Sequence, residues 1–282
     1  MFSTSIIPPH PALQEFIFNY SLCKSEQSVT AKALPWVAHH DTSFCFYLGD
    51  KPVQKPNGCT NNLTIQTNEV TLYGLLTQCR GTMTFDGSYN TFMIEFKPNG
   101  FTRLFDIPAV EICDMVFSAG EVVGGAVEKL YIQLVNAENI REMVRYADEF
   151  LFSFLKKRRT VYYNDGITRI SDQLLSNSLP NISQYATQAN MSLRNFERRF
   201  TEQVGTSPKL FCRLLRFNAA VQMKVACPNK SWTDIAYECG YFDDMHLIKE
   251  FKQFSTESPV AFFEHNSFLM GESFRLIERL ST

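Results

Sequence analysis

Apolar and polar residues follow one another in short runs between positions 29 and 96. Residues 43–48, 63–67, 70–73, 82–85 and 91–96 are rich in β-branched and aromatic side chains, the composition of strands. Turn-forming residues divide them: Gly49 and Asp50, then Pro56, Asn57 and Gly58, then Asp86, Gly87 and Ser88, then Pro98, Asn99 and Gly100. Short strands at this spacing predict a small sandwich or barrel. Its interior is either filled by side chains or open to a small molecule.

After Gly120 the period changes. Residues 121–135 and 138–157 place apolar side chains at helical spacing. In the second stretch Ile140, Met143, Val144, Ala147, Phe150, Leu151, Phe154 and Leu155 form one stripe. Such a stripe packs on the β domain of its own chain or serves as a dimer face. Lys156, Lys157, Arg158 and Arg159 follow at the C-terminal end, where the helix dipole favours cations. Asn164, Asp165 and Gly166 mark a domain boundary.

Beyond that boundary the chain repeats itself. Tyr185, Ala186 and Ala189 match Ile235, Ala236 and Cys239 at an offset of 50. One extra residue in the second turn then makes the offset 51. Phe196, Arg198 and Phe200 match Leu247, Lys249 and Phe251, Ser207 and Pro208 match Ser258 and Pro259, and Phe211 matches Phe262. Matched pieces in one order describe one supersecondary unit used twice. Each copy reads as two helices and a tight turn. In the first, Ile182, Tyr185, Ala186 and Ala189 form an apolar face, Asn190 and Met191 make the turn, and Ser192 caps a helix whose Phe196 and Phe200 point inward. Arg194, Asn195, Glu197 and Arg198 are left outside. In the second, Gly240 turns the chain, Asp243 caps, Leu247 and Phe251 point inward, and Asp244, Met245, His246 and Lys249 are left outside.

Outward polar residues on the first turns of such a helix suit reading of the major groove, where Arg recognises guanine and Asn adenine. The segment between the copies, residues 209–226, reads as a helix stopped by Pro228. It would be roughly 27 Å long at about 1.5 Å per residue, against about 34 Å between successive groove faces. Lys209, Arg213 and Arg216 on it are expected to touch phosphates or to be plain surface cations.

Composition adds little to this picture. The chain has 282 residues, 45% hydrophobic and 20% charged, which is globular and long enough for two cores. No apolar run reaches a membrane span of about 18 residues. Residues 1–10 lack a cationic start and apolar stretch, so a cytoplasmic location is expected. Residues 166–265 carry 11 Lys or Arg against 10 Asp or Glu, and residues 1–165 carry 14 against 17, so charge favours DNA only slightly. The eight cysteines, at 23, 45, 59, 79, 113, 212, 227 and 239, form no Cys-x-x-Cys pair and read as reduced thiols.

The second copy, with Ile235, Ala236, Gly240, Tyr241, Asp243, His246, Leu247, Lys249, Phe251 and Lys252 followed by Ser258, Pro259 and Phe262, resembles the AraC/XylS-type transcription regulators. The first copy matches through Ser192, Phe196, Arg198, Arg199, Phe200, Gly205, Ser207 and Pro208. The resemblance covers about residues 167–264. It implies that Arg194, Asn195, Glu197 and Arg198, and in the second copy Met245, His246 and Lys249, face DNA. Three positions depart from the family pattern. Thr256 replaces a Gly, Lys249 replaces an Arg and loses its two-pronged fork, and Glu197 replaces a neutral residue. Phe96, Pro98, Gly100, Phe101, Leu104, Phe105, Ile107 and Pro108 resemble part of a cupin-like sensor domain found ahead of such modules.

The expected architecture is therefore α+β. A β-rich sandwich or barrel occupies 1–120, and helices that link or dimerise occupy 121–160. An all-α domain of two helix-turn-helix units joined by a linker helix fills 166–265, and a tail fills 266–282. The expected function is a bacterial, sequence-specific DNA-binding transcription regulator, an activator rather than a repressor by the resemblance. Its expected partners are double-stranded DNA, RNA polymerase, a small-molecule effector and a second copy of the chain, with no cofactor, no metal, no catalytic residue and no membrane. Its expected DNA-binding set is Ser192, Arg194, Asn195, Glu197, Arg198, Asp244, Met245, His246 and Lys249. Two alternatives differ in class. One is a helical protein-interaction module fused to a cupin-like domain. The other is a metal-dependent cupin-type enzyme using His39 and His40, although neighbours on a strand point to opposite faces.

Overall fold

The structure is a computed structural model that describes residues 2–25, 27–57, 65–157, 165–176 and 181–266. Its strands are β1 (Phe2–Ile7), β2 (Ile17–Ser25), β3 (Val29–Trp36), β4 (Thr42–Tyr47), β5 (Val53–Pro56), β6 (Ile65–Gln66), β7 (Val70–Tyr73), β8 (Gly81–Gly87), β9 (Asn90–Phe96) and β10 (Val116–Ser118). They form a six-stranded sheet in the order β1-β2-β9-β4-β7-β10 and a four-stranded sheet in the order β3-β8-β5-β6. Every pairing is antiparallel. The expected strands over 70–73, 82–85 and 91–96 are found nearly in place. The sheet also begins earlier than the sequence suggests, with β1 and β2 ahead of residue 29. Of the expected strand at 63–67, only 65–66 is paired, and 58–64 lie outside the described residues.

Strand periodicity explains how both faces of the larger sheet are filled. In β4, Phe44 and Phe46 turn one way, and Ser43, Cys45 and Tyr47 turn the other. The phenylalanine face, with Tyr20, Leu72, Phe92 and Ile94, is covered by the helices that follow. These are α1 (Gly100–Phe105), α2 (Ala109–Ile112), α3 (Ala119–Val123), α4 (Ala126–Val135) and α5 (Ile140–Lys157). The helix expected over 121–135 is broken into α3 and α4, because Gly124 takes φ +82°, a value that favours glycine. Met143, Ala147, Phe150 and Leu151 of the α5 stripe are buried in this core. The stripe thus packs on its own β domain. Of the four cations expected after it, Arg158 and Arg159 lie outside the described residues.

The opposite face meets the smaller sheet and is more polar. Tyr73 stacks edge-on against Trp36 at 5.9 Å, accepts from Gln54 Nε2 at 3.2 Å and shares a 2.8 Å hydrogen bond with Tyr47. On β2 and β9, Ser21 Oγ donates to Glu95 Oε1 at 3.0 Å. Glu95 Oε2 and Asn19 Oδ1 are buried without a hydrogen-bond partner. Burial, reinforced by the charge of Asp41, pushes the Glu95 carboxyl up to about 8. The folded chain therefore holds this proton to a higher pH than the unfolded chain does. The resulting stability is fully present below the ordinary carboxyl value of about 4.5 and is lost as pH rises through about 8. Glu95→Gln is expected to flatten that fall in urea titrations repeated across the interval. A native chain whose stability does not decline there counts against the assignment.

The C-terminal domain comprises α6 (Asp165–Ser176), α7 (Ile182–Gln188), α8 (Leu193–Val204), α9 (Pro208–Ala226), α10 (Trp232–Glu238), α11 (Asp244–Ser255) and α12 (Pro259–His265). The repeat is visible in matching lengths and caps. Helices α7 and α10 have seven residues each, and α8 and α11 have twelve. Side-chain oxygens of Asn181, Ser192, Ser231 and Asp243 cap the four helices by accepting a backbone N–H. Ser207 and Ser258 cap α9 and α12 in the same way, each with Pro at the first helical position. Helix α9 closes the first unit and opens the second. The chain after α8 turns through Gly205 at φ +100°, and after α11 through Thr256 at φ +71°. The departure from glycine at 256 thus leaves a β-branched residue in the left-handed region, a strained conformation.

The two domains share a core and a set of polar bonds. Val37, Ala38 and Leu75 belong to the same buried cluster as Phe200, Phe211 and Phe254. Asn99 Nδ2 donates to Thr168 Oγ1 at 2.9 Å and to Gln203 Oε1 at 3.1 Å. Thr102 Oγ1 donates to the carbonyl of Gln203 at 3.1 Å. Ala38 N donates to the carbonyl of Phe254 at 3.1 Å. Asn218 Nδ2 donates to His40 Nδ1 at 2.6 Å, which leaves His40 Nε2 to face Asp41 at 3.0 Å. A Cβ at Gly205 would come within 3.2 Å of the carbonyl of Ala109, so the glycine also permits α2 to approach the end of α8. His40 thus faces the helical domain, while His39 bridges Leu76 through its backbone.

Candidate nucleic-acid interface

Helices α8 and α11 each bury one face and expose the other. In α8, Phe196 and Phe200 are wholly buried and their rings lie 5.7 Å apart. Leu193, Arg194, Glu197 and Arg198 are exposed, and Asn195 is half-buried. Arg198 Nη1 lies 3.3 Å from Glu202 Oε2, and its Nη2 donates to Asn195 Oδ1 at 3.2 Å. These are exposed contacts of low strength, so the guanidinium is positioned without being withdrawn from a partner. Ser192 serves as the cap, its hydroxyl accepting from Asn195 N at 3.4 Å. Five of the expected residues therefore gather at the outer, N-terminal end of α8.

Helix α11 places its corresponding residues on the same part of its surface. Asp244, Met245 and Lys249 are exposed, and His246 is half-buried. Asp244 Oδ1 accepts from Met245 N at 3.0 Å. The His246 ring packs edge-on against Tyr241 at 5.4 Å, with Nε2 at 3.5 Å from Glu250 Oε1. The turn holds Phe242, the extra residue of the second copy, which is 91% exposed and with Met245 makes this unit less polar than a DNA reader usually is.

The expectation for α9 needs correction. Lys209 is exposed, but Arg216 is 8% exposed and lies 3.3 Å from Glu250 Oε1, with its guanidinium over the Tyr241 ring. Arg213 Nε donates to the same Glu250 oxygen at 2.6 Å, and its guanidinium lies over Phe254. These two arginines hold α11 onto α9, and Arg216 is too enclosed to meet a phosphate, whereas Arg213 keeps a partly exposed side chain. Spacing along α9 could not reveal this, because their partner lies 37 and 34 positions away.

Burial pushes the thiol of Cys113 up to about 12 and that of Cys212 up to about 11, so neither is activated as a nucleophile. Among the described residues, no group of three or more His, Cys, Asp or Glu could hold a metal ion, and no helix is long and apolar enough to cross a membrane.

Residues 185–265 match a family described as a helix-turn-helix domain, and residues 5–118 match one described as a domain of unknown function. The HTH-type transcriptional activator RhaS of Escherichia coli O139:H28 (strain E24377A / ETEC) is 34% identical over 74 residues, 26% of each chain. The present chain thus spans about a quarter of the length of that curated relative. Among solved structures, ToxT from Vibrio cholerae O395 aligns over 94% of this chain and 97% of its own, at 10% identity and a TM-score of 0.46. The AraC-like transcriptional activator CuxR aligns over 75% and 84%, at 9% identity and a TM-score of 0.27. With paired units matched in length, caps and buried faces, residues 185–265 are a helix-turn-helix domain, carried behind an N-terminal β-rich domain.

Proposed function

We propose that this chain is a sequence-specific DNA-binding transcription regulator, an activator, whose α8 and α11 enter adjacent major-groove turns of one duplex. The observation that carries the reading is the duplication itself: two capped twelve-residue helices, each with an exposed N-terminal face, fastened to one helix of 19 residues. That helix is about 28 Å long at about 1.5 Å per residue, close to one groove repeat. Arg194, Asn195, Glu197 and Arg198 are the base-reading set of the first unit. Asp244, Met245, His246 and Lys249 are that of the second, and Lys209 is the exposed phosphate contact on α9. RNA polymerase and a second copy are its further partners, and the cytoplasm is its site of action.

A small effector fits the same reading. A cleft of about 1010 Å³ between the domains is lined by His40, Lys97, Asp172, Asn218 and Gln222 among others, so a molecule lodged there would touch both. Its size lies at the upper end of ordinary ligand sites.

Binding of the full chain to a selected duplex tests the proposal. Affinity should fall steeply as salt rises, because phosphate contacts release counterions. Arg198→Ala should weaken binding by about 1–3 kcal/mol if the side chain pairs with a base. Unchanged affinity removes Arg198 from the readout set. A second reading, a protein-interaction module, is favoured by the exposure of Tyr237, Phe242 and Met245. It requires that duplex binding be absent.

A further inference from the structure

The two reading faces differ in chemistry in a way the repeat makes measurable. At the offset of 51, Arg194 corresponds to Met245, Asn195 to His246 and Arg198 to Lys249. The first face offers two guanidiniums, an amide and the carboxylate of Glu197, all of which read base edges by hydrogen bonds. On the second face, Met245 replaces the arginine and is 66% exposed. His246, in the amide's place, turns toward Glu250 and Tyr241. Phe242 has no counterpart in the first turn and stands almost wholly in solvent beside the start of α11. The leading end of the second probe therefore pairs an unbranched thioether with an aromatic ring, flanked by Asp244 and Lys249. Only one base in the major groove presents an apolar group, the C5-methyl of thymine.

Resting on the regulator reading above, we propose that the second helix-turn-helix unit recognises thymine methyl groups through Met245, with Phe242 packed beside the same strand. The first unit reads its half-site by hydrogen bonds. The two halves of the operator are then chemically unequal, one read by hydrogen bonds and one thymine-directed. The flexible Met side chain follows the methyl into the groove.

The test begins with a duplex selected by the full chain from a random pool. Each thymine is then replaced by deoxyuridine, which removes the methyl and keeps every hydrogen-bonding group. Replacement in one half-site should weaken binding about fourfold per contacted methyl, the free energy of about 0.8 kcal/mol per buried carbon unit. Replacement in the other half should leave affinity unchanged. Met245→Ala, at an exposed position, should lose the sensitivity to deoxyuridine, and Arg194→Ala should keep it. Equal affinity for the fully deoxyuridine-substituted duplex overturns the inference, as does a Met245→Ala protein that remains as sensitive as the parent. Failure to bind any duplex at low salt overturns the regulator reading itself and leaves the apolar patch to a protein partner, a result distinct from the other two.

Discussion

Glu250→Ala should cost the C-terminal domain about 3–5 kcal/mol, the range for removing one partner of a buried ion pair. Glu250 is buried on α11, within 2.6 Å of Arg213 Nε and 3.3 Å of Arg216 Nη2. Removing its carboxylate leaves two guanidiniums facing each other's charge. Arg213 is partly exposed and can turn outward. Arg216 cannot, since it is enclosed beneath Tyr241 and its Nε already lacks a partner. Urea unfolding followed at Trp232, which packs on Phe251 of α11, reports the loss locally. A change below about 1 kcal/mol would mean that water reaches Arg216 and that the cluster does not hold the second probe in place.

Phe217→Ala should be comparably damaging, about 3–5 kcal/mol for an aromatic truncated in a core. The Phe217 ring is fully buried on α9, edge-on to Phe251 at 5.0 Å and tilted against Phe254 at 5.3 Å. The cavity cannot close by local collapse, because α9 is also held on its other side by Phe211, whose ring meets Phe200 at 5.7 Å. Only the second unit should loosen, so protection of DNA should shrink to the half-site of α8. Protection that fades evenly over both halves would show that the units do not melt separately.

Much of the module was legible because its signals are local. Caps, the serine-proline starts and the 3.6-residue spacing of apolar positions each act within one or two turns. The resemblance places Thr256 where a Gly is usual, and the chain turns there with φ +71°. The N-terminal strands were harder to see. From Ile17 to Cys23, β2 is buried on nearly every residue, so no alternation of apolar and polar positions could advertise it. Its Asn19 and Ser21 lie inside the sandwich, where hydrophobic patterning gives no hint. The fate of Arg213 and Arg216 depends on a glutamate supplied by another helix. The contacts of Asn99, Thr102 and His40 with the helical domain likewise join residues about 70–180 positions apart, beyond any periodicity.

The last turns of the two probes are moored to one domain, α8 through Thr102 at Gln203 and α11 through Ala38 at Phe254. Their mutual pitch is thereby set by the β-rich domain as well as by α9. A chain built in this way acts as a caliper whose jaws are held by the handle. Inserting or deleting a base pair between the half-sites should be poorly tolerated by the intact protein, since the jaws cannot be re-spaced without first releasing the handle.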